Sequence, residues 1–287
     1  MNICRLCNGN DIAVIHRGTR DRADIDVLRC NQCGLVFLSR IVTDDNFYTN
    51  SQMHEGTNFE KWRENTFRDD QRRFLKYRDQ IQDKTILDFG CGNGNFLRQI
   101  QKYGNAKRTI GIELDQEAVN YLRKDGLECY ENIDELPDIK FDFVFLFHVI
   151  EHLPEPEKLL HALSKHIAVQ GRIIIETPNA DDALLSIYQC EKFANFTYWS
   201  PHIYLYNEET LTQILVKAGL KVIDQRQEQR YPLANHLRWL ARGLPGGGYL
   251  EFQELNEPKV NEEYAKILEK NKACDTLLFT AVRERLI

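Results

Sequence analysis

Three sets of residues in this chain have types and spacings that could do chemistry. The first is the run ILDFGCGNGNF, in which an apolar stretch leads directly into Gly90, Gly92 and Gly94. Glycines at a strand-to-helix turn permit a tight backbone and close ligand approach, and free amides at the helix N-terminus suit a nucleotide-type cofactor. Asp88 lies two residues before the first glycine, and Glu113 closes the next apolar run, TIGIEL. A glycine loop with an acid about 20 residues on also describes dinucleotide binding, so on these residues alone NAD competes.

The second set is Cys4 with Cys7 and Cys30 with Cys33, two C-x2-C knuckles with Gly34 directly after the second. Four thiolates can enclose a tetrahedral Zn2+, and because that shell is full the ion would be structural, a staple for about 40 residues with little core of their own. Four free thiols and an iron-sulfur cluster are the alternatives. Cys91, Cys129, Cys190 and Cys274 show no ligand spacing. The third set is HVIEH, with His148, Glu151 and His152. It matches H-x-x-E-H, in which two histidines bind zinc and the glutamate activates water. Its place at a strand end argues against that hydrolase reading, while Glu151 and His152 holding an assisting metal stays open.

These residues need elements to position them. After Lys84, short apolar runs alternate with amphipathic stretches: TILDFG, TIGIEL, LECY, FDFVFLF, GRIIIETP and LKVIDQRQ against NFLRQIQKYG, QEAVNYLRKDG, PEKLLHALSKHI and NEETLTQILVKAG. That βαβ rhythm predicts an α/β fold with a parallel sheet. The expected organisation is a zinc module over 1–40, a helical connector over 41–83, a cofactor-binding core over 84–228, a lid or acceptor-binding insertion over 229–273 and a final core strand over 274–287. The connector carries Trp62, Phe67, Phe74, Leu75 and Tyr77 at near-helical spacings, and the insertion carries a GLPGGG loop.

Asp88, the G-x-G-x-G spacing followed by Asn95, and FDFVFLFHVIEHL downstream together resemble the class I S-adenosylmethionine-dependent methyltransferases. The resemblance covers roughly residues 84 to 225. It implies a Rossmann-like sheet, mostly parallel with the last strand antiparallel, and S-adenosylmethionine as cofactor. Gly90, Cys91, Gly92 and Gly94 would then wrap the cofactor, with Leu114 and Phe147 also contacting it. Asp88 would support the methionine moiety and Glu113 would accept hydrogen bonds from both ribose hydroxyls. The residue facing the adenine amine would be Asn132, where the family more often has Asp.

His148 follows the fourth strand, where this fold exposes strand ends to its ligand crevice, so it is the first candidate for an acceptor contact or base. His202 and Tyr204 in WSPHIYLYN stand where related enzymes close over the acceptor. His236, with Tyr231, Asn235 and Arg238, could bind a polar or phosphorylated acceptor. The fusion of a four-cysteine module to this core resembles bacterial enzymes acting on sugars, sugar nucleotides or surface-glycan building blocks. Some ribosomal RNA methyltransferases also carry a zinc module, which keeps an RNA acceptor as the rival, and a non-catalytic cofactor-binding protein as a second.

Composition narrows the choice. A net charge of −6, with no basic run and no aromatic stacking platform, speaks against nucleic acid and leaves a small-molecule acceptor as the expected partner. With 43% hydrophobic and 28% charged residues among 287, the chain can bury a real core. The longest apolar stretch, FDFVFLFHVI, is interrupted by Asp142 and His148 and is too short to span a membrane. MNICRLCNGN lacks an export signal, so the expected location is the cytoplasm, where eight cysteines stay reduced.

Overall fold

The computed structural model describes residues 3–42, 58–247 and 251–284. Residues 43–57 of the expected connector, and Gly248 at the end of the GLPGGG loop, lie outside the described residues.

The chain begins with β1 (Ile12–His16), β2 (Val27–Cys30) and β3 (Val36–Leu38), which form an antiparallel meander. Helix α1 (Phe59–Tyr77) follows, started by Asn58, whose side chain accepts from the Lys61 amide. Then come β4 (Thr85–Phe89), α2 (Asn95–Tyr103), β5 (Arg108–Ile112), α3 (Gln116–Lys124), β6 (Cys129–Tyr130), β7 (Phe141–Phe147), α4 (Pro156–Ser164) and β8 (Ile167–Pro178). Helices α5 (Ala183–Ser186) and α6 (Glu191–Thr197) lead to β9 (Tyr204–Leu205), α7 (Glu208–Lys217) and β10 (Leu220–Glu228). The expected insertion contains α8 (Leu233–Arg242) and α9 (Pro258–Lys270), and β11 (Thr276–Arg283) closes the chain.

The main sheet has seven strands in the order β10-β11-β8-β7-β4-β5-β6. β4 pairs in parallel with β5 on one side and β7 on the other, so the order reverses at β4. β11 runs antiparallel to both β8 and β10, as the resemblance implied for the last strand. Strands in the middle of such a sheet are covered on both faces, and their side chains divide accordingly. Phe143, Phe145 and Phe147 pack with Phe74 and Tyr77 of α1 and Phe96 of α2, while Val144 and Leu146 face the cluster containing Leu160, Leu211 and Leu215. The Rossmann-like α/β sheet expected from the sequence is the sheet observed.

A second, four-stranded sheet has the order β1-β2-β3-β9. Its fourth strand comes from far along the chain: β9 pairs antiparallel with β3, Val36 opposite Leu205 and Phe37 opposite Tyr204. No described helix is long and apolar enough to cross a membrane.

Candidate active site

At a reversal of strand order the loops after neighbouring strands diverge and leave a crevice beyond the strand ends. Here a cavity of about 820 Å³ opens beyond β4, β5 and β7. Its floor is the glycine loop. Gly90 and Gly92 both have positive φ, and a Cβ would meet Val149 Cγ2 at 2.5 Å on the first and the Trp62 ring at 3.0 Å on the second. Both positions therefore need glycine. Gly94 does not line the cavity; it caps α2 beneath it.

Glu113 stands across the loop with Oε2 accepting from the Gly92 amide at 2.7 Å and Oε1 accepting from the Asp115 amide at 3.1 Å. A carboxylate has about four acceptor sites, so each oxygen keeps capacity for a ligand hydroxyl. Burial raises its pKa, against the amides that lower it. Asp88 is more strongly affected: burial, with the Asp70 charge close by, pushes it up to about 8 despite Arg73. Cys91, Leu114, Asn132 and Phe147 line the same cavity. The Asn132 oxygen already accepts from the Asp134 and Glu135 amides, however, so any ligand amine shares an acceptor occupied by a turn cap.

The other end of the cavity is built around His148 and Arg230. His148 has φ +55, a conformation rare for a residue with a side chain and one that recurs at functional sites. Its Nδ1 lies 3.1 Å from Glu151 Oε1 and its Nε2 lies 3.4 Å from Glu176 Oε1. Thr177 donates to the second Glu151 oxygen at 3.0 Å. Burial opposes ionisation of Glu151, but the His148 hydrogen bond and the surrounding histidines outweigh it and lower the carboxyl to about 2. Because an ionised carboxylate only accepts, His148 Nδ1 carries the proton in that contact.

Glu176, 1% exposed at the end of β8, is held by Arg72 Nη2 at 2.8 and 2.9 Å and by Arg73 Nη2 at 2.7 Å. Burial resists its charge, yet the Arg73 and Arg230 cations and His148 hold it well below the usual carboxylate range. Arg230 Nη1 lies 3.4 Å from Asp69 and its Nε donates to Thr276 Oγ1 at 2.7 Å.

Much of one wall comes from α1, which the sequence reading treated as a connector. Trp62, Thr66, Asp69, Asp70 and Arg73 all line the cavity, and Thr66 accepts from Asn93 Nδ2 at 2.8 Å. Positions 62, 66, 69, 70 and 73 make one helical stripe, and a polar stripe of that spacing beside a tryptophan was the signal available. Phe67 and Leu75, by contrast, are 45% and 52% exposed.

Three expected acceptor residues are elsewhere. Tyr204 sits in β9 with its hydroxyl donating to the Pro154 carbonyl at 3.2 Å, because the strand turns it toward the small sheet. His202 is half-buried beside His152, their ring centroids 5.0 Å apart. His236 is buried in α8 between the Tyr264 hydroxyl at 2.7 Å and Gln229 at 3.2 Å, a packing role that leaves it off the cavity wall. None of the three lines the cavity.

The four N-terminal cysteines converge. Cys4 Sγ is 3.5 Å from Cys33 Sγ, Cys7 Sγ is 3.5 Å from Cys30 Sγ, and all four sulfurs lie within 4.8 Å of one another. Zinc bonded to sulfur at about 2.3 Å places tetrahedral sulfurs about 3.8 Å apart, so the set fits that ion. Knuckle turns, with Asn8 donating to the Cys4 carbonyl and Gly34 to that of Cys30, both at 2.9 and 2.8 Å respectively, shape it.

The family described as methyltransferase domain matches residues 59–225, more than half of the chain. A ubiquinone biosynthesis O-methyltransferase of Hydrogenovibrio crunogenus is 26% identical over 141 residues, covering 45% of this chain and 58% of that protein. A tRNA U34 carboxymethyltransferase of Campylobacter jejuni is 30% identical over 115 residues, covering 37% of this chain and 39% of that protein. The chain thus spans less than two thirds of either relative. Among solved structures, a chain of the complex between the Haloferax volcanii Trm112 methyltransferase activator and its methyltransferase superposes with a TM-score of 0.50 at 16% identity. That match covers 79% of this chain and 98% of the other, and shows the shared fold.

Proposed function

The chain belongs to the methyltransferase-domain family and is an S-adenosylmethionine-dependent enzyme, and from that premise we propose that its acceptor is a small polar molecule, a sugar or nucleotide-linked sugar. The observation that carries the reading is a single cavity of about 820 Å³ joining the glycine loop and Glu113 to His148, Arg73 and Arg230. Cavities of roughly 300 to 1,000 Å³ hold small ligands, whereas a folded RNA needs an open surface. The four-cysteine module on this core, which resembles glycan-modifying enzymes, supports the same class.

S-adenosylmethionine, when bound, would supply a methyl that an acceptor nucleophile takes in line while the sulfur leaves as a neutral thioether. Gly90, Gly92 and Glu113 bind the nucleoside end, and Asp88 faces the cationic methionine end. The wall from Trp62 to Arg73 excludes water from the reacting centre, which strengthens the electrostatic contacts inside. Arg230 and Arg73 orient an acceptor oxygen or phosphate. His148, its Nδ1 proton fixed on Glu151, has Nε2 buried 3.4 Å from Glu176, so it takes the acceptor proton on turning that nitrogen toward the cavity, and Glu176 stabilises the imidazolium that forms.

Methyl-labelled S-adenosylmethionine, incubated with the protein, metabolite pools, ubiquinone precursors and bulk RNA, tests the proposal. Label in a sugar or nucleotide-linked fraction is the expected result. Label in RNA or in a ubiquinone precursor would overturn the acceptor class while leaving the methyl transfer standing.

A further inference from the structure

The short turn after β7 and the loop before β9 bring Glu151, which orients His148, together with two histidines that methyl transfer does not use. Glu151 and His152 are 1% and 8% exposed, and His202 packs against them with its ring edge-on to His152 and to Trp199. One carboxylate oxygen and one ring nitrogen from each histidine all lie within 4.8 Å of one another. His202 Nδ1 is buried with no hydrogen-bond partner among the described residues. A buried polar atom without a partner costs about 1 to 3 kcal/mol, so its persistence asks for a ligand.

The surroundings prepare these groups to coordinate. His152 Nδ1 lies 3.0 Å from the Pro201 carbonyl. A carbonyl only accepts, so Nδ1 holds the proton and Nε2 presents a lone pair, the arrangement by which backbone carbonyls orient metal-binding histidines. The Glu151 carboxylate is itself steadied by His148 and Thr177.

We propose that Glu151, His152 and His202 form a second metal site, taking a divalent transition ion of the zinc class and separate from the four cysteines. Two imidazoles and a carboxylate leave the fourth tetrahedral position for water, the composition of an open zinc site. Bonds of about 2.0 to 2.1 Å would set the ligand atoms about 3.4 Å apart, a contraction of at most about 1.4 Å from the 4.8 Å within which they now lie. Since His152 also lines the cavity, the ion ties the loop carrying Trp199 and Pro201 to the cavity wall.

The full chain, stripped of metal, then dialysed against excess cobalt(II) and freed of unbound ion, tests this by stoichiometry and absorption. The expected result is one more ion per chain in the wild type than in His202→Gln, with the sulfur-to-cobalt absorption of the cysteine site unchanged between them. Equal stoichiometry in the two proteins would overturn the proposal. His152→Gln guards against a folding defect peculiar to position 202, since it too should lose one ion and keep the cysteine band. The measurement does not depend on the acceptor, because an enzyme that methylated RNA would bind the second ion all the same.

Discussion

With the role proposed for it at the methionine end, Asp88 should couple cofactor binding to pH. In the folded chain its carboxyl moves from 3.8 to about 8, so the folded state holds a proton that the unfolded state releases. Stability from this group is therefore full below about pH 4 and is lost as pH rises toward about 8. A cationic methionine end prefers the carboxylate, so binding must expel that proton. Apparent affinity should rise about tenfold per pH unit below about pH 8 and level above it. Isothermal titration across that range checks the slope, and Asp88→Asn should flatten it. Glu113→Ala removes two charge-assisted hydrogen bonds worth about 1.5 to 3 kcal/mol each, so cofactor affinity should fall at least about hundredfold with the zinc content unchanged. Unaltered affinity would refute the ribose assignment. His148→Gln should lower kcat by about a hundredfold or more and leave the cofactor Kd near wild type, as expected for loss of a base. Glycine loop, Asp88 and Glu113 were legible in the sequence because strand, turn and strand-end acid are adjacent along the chain. Arg230 and Glu176 were not, because 54 residues of chain separate them and only the pairing of β11 with β8 and β10 brings them near.

Elements were legible where one period dominated. β7 alternates Phe143, Phe145 and Phe147 against Val144 and Leu146 and is a strand in any context, and α7 announces itself with the Asn207 and Thr210 capping box. α1 was harder, since its buried face is partly charged: Asp70 and Arg73 are each 8% exposed. Those charges are tolerated because Arg73 bridges Asp70 at 2.8 Å and Glu176 at 2.7 Å, tying α1 to the end of β8. Breaking a buried pair leaves an uncompensated ion. Glu176→Ala should thus cost about 3 to 5 kcal/mol in chemical denaturation, whereas Glu228→Ala, at the half-exposed edge of the same cluster, should cost about 1 kcal/mol or less.

For the whole molecule, the relation of the cysteine module to the sheet decides how the chain unfolds. A bead on a linker would melt by itself. The long-range contacts point the other way. Cys4, Leu6, Leu28 and Phe37 share one hydrophobic cluster with Tyr204, Leu211, Ile214 and Leu215. β9 completes the module's sheet, Asp21 accepts from the Ser200 amide at 3.0 Å, and Arg20 stacks 4.5 Å from the Trp199 ring. Lys217 reaches across to the Leu6 carbonyl. None of these was legible, because β9 is two residues long and its partners lie more than 160 positions earlier. Units that share a core lose it together, so calorimetry should show module and sheet melting in one transition. If the four cysteines hold an ion, chelating it should move that entire transition down, since binding to the folded state alone stabilises all that folds with it. Saturating S-adenosylmethionine should raise the same transition. Two transitions, with only the smaller one responding to chelator, would show that the module folds independently and that the shared cluster carries little of the stability.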